Sequence, residues 1–262
     1  SGSVIVAGGG SMKQGTSEIA VEDHVAAYRR DGFAVLQHAL APEDIAEVRR
    51  LIEPLFADFG QRLSARVRDV GALGGIEPGT QQPEIDRATL IAPALFRTAV
   101  YRRTRDIASQ ILGRRARYVF DHLISKMPNS TTSTAWHQDR GYMKAHTSLD
   151  TVNFWIPLQP VSPENGTLNY VPGSHCGEFL PHERDPDLHP HVLTAKVGSA
   201  RIVSPSLDEG DLCFHHPLTI HSAGANRTGN IRYAWSIHFG AYGRLEYLKP
   251  SNLWAAIKRK RD

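Results

Sequence analysis

The sequence predicts an α+β fold in which N-terminal helices pack on a double-stranded β-helix, or jelly roll. Two observations carry that expectation. Apolar residues recur at helical spacing through the first third of the chain. After about residue 115 the pattern changes to short alternating, aromatic or β-branched stretches broken by Pro, Gly and Asn. Strands of that length, without helical crossovers between them, suit an antiparallel sandwich and not a parallel sheet.

In chain order, VEDHVAAYRRDGF (21–33) sets Val21, His24, Val25 and Tyr28 on one helical face, and Gly32 stops the helix. AVLQHAL then reads as a short strand. Residues 41–60 form a second amphipathic helix with Pro42 in its first turn and Gly60 at its end. Its buried stripe is Ile45, Val48, Leu51, Ile52, Leu55 and Phe56. The Gly-, Pro- and Gln-rich stretch 67–84 reads as a mobile loop, and 91–112 as a third helix ending before Gly113. Strand segments follow: ARYVFDHLISKM, TVNFWIPLQPV, GTLNYVPGSH, DLCFHH and IRYAWSIHFGAY. Between them, the polar, Pro-rich segment 176–193 is long enough to be a functional lid. Residues 1–11 have the Gly/Ser texture of an expression-tag remnant. The remainder, 12–262, reads as one domain, with a helical part over about 20–112 and a jelly roll over about 115–242.

Composition excludes several classes. The apolar share of 41% and net charge of +3 argue against disorder. The small basic excess gives no electrostatic footprint for nucleic acid, and Lys258–Arg261 reads as a solvated tail. No stretch is long and apolar enough for a membrane span. Two cysteines, Cys176 and Cys213, cannot make a disulfide framework and suit a reducing cytoplasm. Histidine stands out, with 13 residues placed mostly after position 120.

The chemistry concentrates in AWHQDRGY (135–142). On a strand, His137 and Asp139 project to one side, an imidazole and a carboxylate suited to a divalent metal. Residues 210–239 offer His215, His216 and His221 as a third ligand. Two histidines and one carboxylate make the facial triad of non-haem Fe(II) oxygenases. Arg232 lies in an apolar strand-like run with no acid between Asp211 and Glu246. A buried guanidinium there needs an anionic partner, and a dicarboxylate would serve it with paired hydrogen bonds.

At this point the sequence resembles a known family. HQD at 137–139, NFWIPLQPVSPENGTLNYVPGSH at 153–175 and GDLCFHHPLTIHSAGANRTGNIR at 210–232 are similar to the phytanoyl-CoA dioxygenase family of Fe(II)/2-oxoglutarate oxygenases. YRRDGFAVLQHALAPEDIAEVRRLI at 28–52 resembles its N-terminal signature. The resemblance implies His137, Asp139 and His221 as iron ligands and Arg232 as the partner of the distal carboxylate of 2-oxoglutarate. It places Thr167 and Trp155 against the cosubstrate, and His215 and His216 as packing or pocket residues. Ala223 and Ala234 stand where some relatives carry a serine, so hydroxyl help falls to Thr167, Ser222 or Ser236.

The implied reaction is hydroxylation with O2, releasing succinate and CO2; the resemblance suggests an acyl-CoA substrate, but no site for nucleotide phosphates is recognisable, so a small metabolite or natural-product intermediate is the expected substrate. Asp139 favours this over halogenation, and desaturation or ring formation remain open to the same machinery. Alternatives outside this class are a non-catalytic metal-dependent sensor and, last, a zinc hydrolase. Gln138, His146 and His175 read as structural. His182, His189 and His191 read as a solvated lid. Arg140, Tyr142, Met143, Lys144, Lys126 and Met127 read as loop positions that could shape the pocket. Oligomeric state is not legible.

Overall fold

The structure, a computed structural model, describes residues 21–57, 59–71, 76, 79–143 and 148–241. The terminal stretches read above as a tag remnant and a basic tail lie outside the described residues, as do Lys144 and His146.

The helices are α1 (Val21–Asp31), α2 (Pro42–Ala57), α3 (Ala88–Ile91) and α4 (Ala99–Leu112). The strands are β1 (Phe33–Leu36), β2 (Val67–Asp69), β3 (Pro83–Asp86), β4 (Arg117–Lys126), β5 (Thr134–His137), β6 (Thr151–Pro157), β7 (Leu168–Tyr170), β8 (His182–Glu183), β9 (Thr194–Ala195), β10 (Leu212–His215), β11 (His221–Ala223) and β12 (Arg232–Gly240). Seven strands form an antiparallel major sheet in the order β1-β10-β6-β12-β4-β3-β2, faced by a minor sheet, β5-β11-β7. Strands β8 and β9 form a separate hairpin-like pair.

Strand parity builds the architecture. On β6 and β12, Phe154, Ile156, Trp235, Ile237 and Phe239 turn to the helices. They pack with Ile45, Val48 and Ile52 of α2 and with Val100, Ile107 and Ile111 of α4. The intervening residues face between the sheets, where Trp155, Cys213 and Ala234 meet Leu168, Tyr170 and Ala223 of the minor sheet. Phe33 stacks on Tyr170 with ring centroids 4.2 Å apart, tying the edge strand β1 to the minor sheet.

Three expectations change. The stretch 91–112 is not one helix: Pro93 opens a 3₁₀ turn (Pro93–Arg97), and Thr98 then caps α4, its hydroxyl accepting the Tyr101 N–H at 3.2 Å. The stretch 67–84 carries β2 and the start of β3 and so completes the major sheet. Asp69, 3% exposed, organises the turn by accepting the backbone N–H groups of Gly71, Gly79, Gln81 and Gln82. The N-terminal part is therefore helices plus three strands of the major sheet. Gly32 ends α1 as expected, at φ +82°, and a Cβ there would meet Thr219 Oγ1 at 2.5 Å.

Candidate metal and oxo-acid site

His137 closes β5 and His221 opens β11, and the two are direct cross-strand partners. Pairing alone brings their rings to a centroid distance of 4.2 Å. Asp139 begins the 3₁₀ turn Asp139–Tyr142 just past β5. Its Oδ1 lies 3.7 Å from His137 Nε2 and 3.7 Å from His221 Nε2. The ligand atoms of all three residues fall within 4.8 Å of one another, and all three are buried.

Main-chain carbonyls settle which ring nitrogens point inward. His137 Nδ1 donates to Ala135 O at 2.8 Å, and His221 Nδ1 donates to Thr219 O at 2.9 Å. Each imidazole thus presents an Nε2 lone pair toward the same point. Burial pushes the pKa of both imidazoles down, so both are neutral donors at neutral pH. Burial would raise the Asp139 carboxyl, yet His221 and His215 beside it hold it well below the usual carboxylate range. Two neutral imidazoles and one ionised carboxylate are the donor set that Fe(II) takes on one face. In the same described region no thiolate joins them, as zinc would favour: Cys213 is buried, with a pKa pushed up by burial to about 12, and Cys176 is exposed.

Two residues hold the carboxylate: Asn153, which sequence reasoning missed, and His215, read there only as a candidate ligand or a packing or pocket residue. Asn153 Nδ2 donates to Asp139 Oδ2 at 2.6 Å, and His215 Nε2 donates to the same oxygen at 3.0 Å. His215 Nδ1 in turn accepts from Tyr170 OH at 3.1 Å, and Ser236 Oγ donates to Asn153 Oδ1 at 2.9 Å. His215 therefore does more than pack. The signal available in sequence was parity: Asn153 and His215 share a face with Trp155 and Cys213. His216 is a packing residue whose Nδ1 accepts the Leu218 N–H at 3.2 Å.

Arg232 starts β12 on the face that carries Ala234 and Ser236, toward the interior between the sheets. It is 2% exposed, and its Nε and Nη1 have no hydrogen-bond partner among the described residues. Its guanidinium lies 5.5 Å from the centroid of the Trp155 ring. Burial pushes its pKa down to about 9. A guanidinium with two orphaned donors in an enclosed interior fits a carboxylate ligand. Two of the three hydroxyl candidates already donate within the fold, Thr167 Oγ1 to Pro205 O at 2.7 Å and Ser236 Oγ to Asn153 Oδ1 at 2.9 Å, whereas Ser222 Oγ accepts from Asn169 Nδ2 at 3.1 Å.

The segment 176–193 is no freely solvated excursion. His182 Nε2 accepts the Gln138 N–H at 2.9 Å, and the Gln138 side chain bonds Leu218 O and Leu180 N, each at 2.8 Å. His191 Nε2 accepts from Arg68 Nη2 at 2.7 Å, and Tyr142 OH accepts the Leu193 N–H at 2.9 Å. Gln138 is structural, as expected, and so is His175, which donates to Arg29 O at 3.1 Å. His189 closes a turn, its Nδ1 accepting the His191 N–H at 3.1 Å and its carbonyl the Val192 N–H at 2.8 Å. Arg140 bonds through its backbone to Pro217 O, and Met127 through its backbone to Gln81 O.

Comparison with known proteins places this geometry. The chain matches the family model for phytanoyl-CoA dioxygenase (PhyH) over residues 28–234. The chain belongs to the PhyH family. It is 27% identical over 229 residues to the peroxisomal phytanoyl-CoA dioxygenase of Homo sapiens, covering 82% of this chain and 66% of that protein. It is 27% identical over 234 residues to an L-proline trans-4-hydroxylase of Streptomyces griseoviridis, with 78% and 81% covered. Among solved structures it resembles the epimerase SnoN in complex with Fe3+, alpha ketoglutarate and nogalamycin RO. That match has a TM-score of 0.69 at 26% identity and covers 84% of this chain and 83% of that one. The chain spans 51% to 66% of the length of the phytanoyl-CoA dioxygenases of Caenorhabditis elegans and Homo sapiens that it matches. No helix among the described residues is long and apolar enough to cross a membrane. Fe(II) and 2-oxoglutarate, with O2 as co-reactant, are the cofactors that this donor set and these PhyH relatives fit.

Proposed function

We propose that this chain is an Fe(II)/2-oxoglutarate-dependent dioxygenase that hydroxylates a small metabolite or natural-product intermediate, forming succinate and CO2. His137, Asp139 and His221 hold the metal, and Arg232 anchors the far carboxylate of the oxo acid, with Trp155 as a wall beside it. The observation that carries this reading is the orphaned pair Nε and Nη1 of buried Arg232, on the sheet face that also supports Asp139 through Ser236 and Asn153.

When bound, iron and the oxo acid together supply the oxidising chemistry. The protein's residues supply position and dryness. The carbonyls of Ala135 and Thr219 fix the imidazole tautomers. Asn153 and His215 occupy Asp139 Oδ2, which leaves Oδ1 as the free donor beside the two Nε2 atoms. Thr167 can offer the carboxylate no proton while it donates to Pro205, so Arg232 carries the charged part of that grip. The 176–193 segment is tied down at Gln138, Arg68 and Tyr142, beside the metal strand. Asp139 supports hydroxylation over halogenation, since with iron bound it would take up the position a halide would need. The names of the relatives span hydroxylase and epimerase.

Succinate formation from 2-oxoglutarate with Fe(II) and ascorbate, with and without O2, tests the class. Loss of this turnover in Arg232→Met and His221→Ala supports the assignment, and wild-type rates in both would overturn it. Product analysis on a candidate small molecule then separates an added hydroxyl from epimerisation, desaturation or ring closure.

A further inference from the structure

The minor sheet covers only part of the inner face of the major sheet. It packs on Trp155, Cys213 and Ala234. Toward the start of β4 and the end of β12 the inner face stays half-buried at Phe120, His122 and His238, although both strands are paired on either side. Phe120 directly opposes His238 across the strands, and their ring centroids lie 5.4 Å apart. His122 stands 5.5 Å from Phe120 and 6.1 Å from His238. Neither imidazole makes a hydrogen bond among the described residues, and burial lowers the pKa of each to about 4. Each therefore offers one N–H and one lone pair.

This face adjoins the metal site. His238 also opposes Asn153 on β6, and Asn153 holds Asp139. Asn153, His238 and Phe120 thus form one row across three strands. Neighbouring strands lie about 4.8 Å apart, so Phe120 stands roughly 10 Å from Asn153.

Arg87 lies at the far end of that row. The chain leaves β3 through Arg87 in the left-handed region, at φ 52° and ψ 48°, which residues with a Cβ seldom adopt. The Arg87 N–H donates to Asp121 O at 2.6 Å and holds the turn. Backbone of this kind persists where the surroundings impose it, commonly at ligand clamps. The half-buried guanidinium comes to lie 5.3 Å from the centroid of the Phe120 ring. The neighbouring carboxylate, Asp86, already accepts two bonds from Arg68 at 2.9 Å. Arg87 is left with no carboxylate among the described residues.

We infer that this face seats the prime substrate and that Arg87 grips an anionic oxygen group on it, which makes the substrate a small organic acid. The inference rests on the reading of His137, Asp139 and His221 as the metal site. His122 and His238 would meet oxygen or nitrogen functions between the two ends. A saturated acyl chain would leave those ring nitrogens without partners. A carboxylate and a phosphate both suit the planar fork of Arg87.

The test is binding, without turnover. Protein loaded with Mn(II) and 2-oxoglutarate is titrated anaerobically with 3-phenylpropanoate, phenyl phosphate, 3-phenylpropan-1-ol and 3-phenylpropan-1-amine. Calorimetry reads the affinities, and relaxation of the probe protons by Mn(II) reads nearness to the metal. At least one of the two acids is expected to bind about tenfold tighter than the alcohol. Arg87→Met should remove that preference while leaving the alcohol within about twofold, and Arg87→Glu should shift it toward the amine. Equal weakening of acid and alcohol in Arg87→Met would show a merely structural arginine and overturn the inference. So would a wild type that binds neither acid more tightly than the alcohol, or bound acids whose protons do not sense Mn(II). Should Arg87→Met not fold, Arg87→Gln and Arg87→Lys make the same comparison of neutral against charged. A wild-type protein that takes up no Mn(II) would instead overturn the reading of the metal site on which the inference stands.

Discussion

Asn153 Nδ2 stands 2.6 Å from Asp139 Oδ2, the carboxylate oxygen turned away from the two metal-facing imidazoles. With His215 on the same oxygen, this contact fixes how the carboxylate is presented. Removing such a support typically costs about tenfold to a hundredfold in metal affinity. Asn153→Ala is therefore expected to weaken Co(II) binding by that factor with little change in secondary structure. Titration of the metal's visible absorption band checks it, and an unchanged affinity would remove Asn153 from the site.

His221→Ala and Asp139→Ala are expected to abolish stoichiometric metal binding, because each removes one of three donors that lie within 4.8 Å of one another. Metal content after dialysis against Fe(II) under anaerobic conditions measures this. Retention of one equivalent in both variants would place the metal elsewhere.

Arg232→Met is expected to separate binding from stability. The affinity for 2-oxoglutarate should fall about a hundredfold, as fits the loss of charge-assisted paired hydrogen bonds. Stability of the ligand-free protein should hold or rise, since the wild type buries a guanidinium with two unpartnered nitrogens. Chemical denaturation without cosubstrate reads the second arm, and a large loss there would mean that the guanidinium is paired within the fold.

Acid should weaken the fold through His216. Burial, with His175 beside it, lowers its pKa to about 4 from 6.5. A depressed folded-state pKa means full stability above about 6.5, lost as pH falls toward about 4 and the unfolded chain takes up the proton. Protonation of Nδ1 would also break the acceptor contact to the Leu218 N–H. His216→Asn, which keeps an acceptor, should make the fall in Tm between about pH 6.5 and 4 shallower, the rest being carried by His122, His191 and His238, which burial lowers alike. An equally steep limb in that variant would assign the effect to other histidines.

Phe154→Ala probes the helix–sheet core. Phe154 is fully buried against Phe214, at a ring-centroid distance of 5.4 Å, and against Phe239. Truncation should cost about 3–5 kcal/mol of unfolding free energy while leaving 2-oxoglutarate affinity intact, because the side chain packs on the helix side of the sheet, away from Arg232 and the triad. Loss of both together would show that the two faces are coupled.

What could be read from the sequence follows from range. The stripe Ile45, Val48 and Ile52 and the stop at Gly32 are local signals, and both stand in the fold. His137 and Asp139 stood out because they lie two residues apart; the histidine-dense segment left His215, His216 and His221 open, and the family resemblance singled out His221, which the structure brings to the other two. The support around the triad was not legible. Asn153, His215 and Tyr170 are ordinary strand residues until β6, β10 and β7 are brought together. The stretch 67–84 misled for the same reason: its glycines and prolines suggest a loop, whereas Asp69 gathers four backbone N–H groups into a turn that β2 and β3 flank. His182 and His191 read as solvated because their partners, Gln138 and Arg68, are 44 and 123 residues away.

Odd and even positions along β12 answer to different demands. Trp235, Ile237 and Phe239 serve the apolar layer under the helices, while Arg232 and Ser236 face the interior between the sheets. Drift confined to one parity can thus retune what the enclosure accepts without eroding the layer that keeps the molecule folded. A lineage is free to change chemistry on a scaffold whose thermostability is written in the alternate letters.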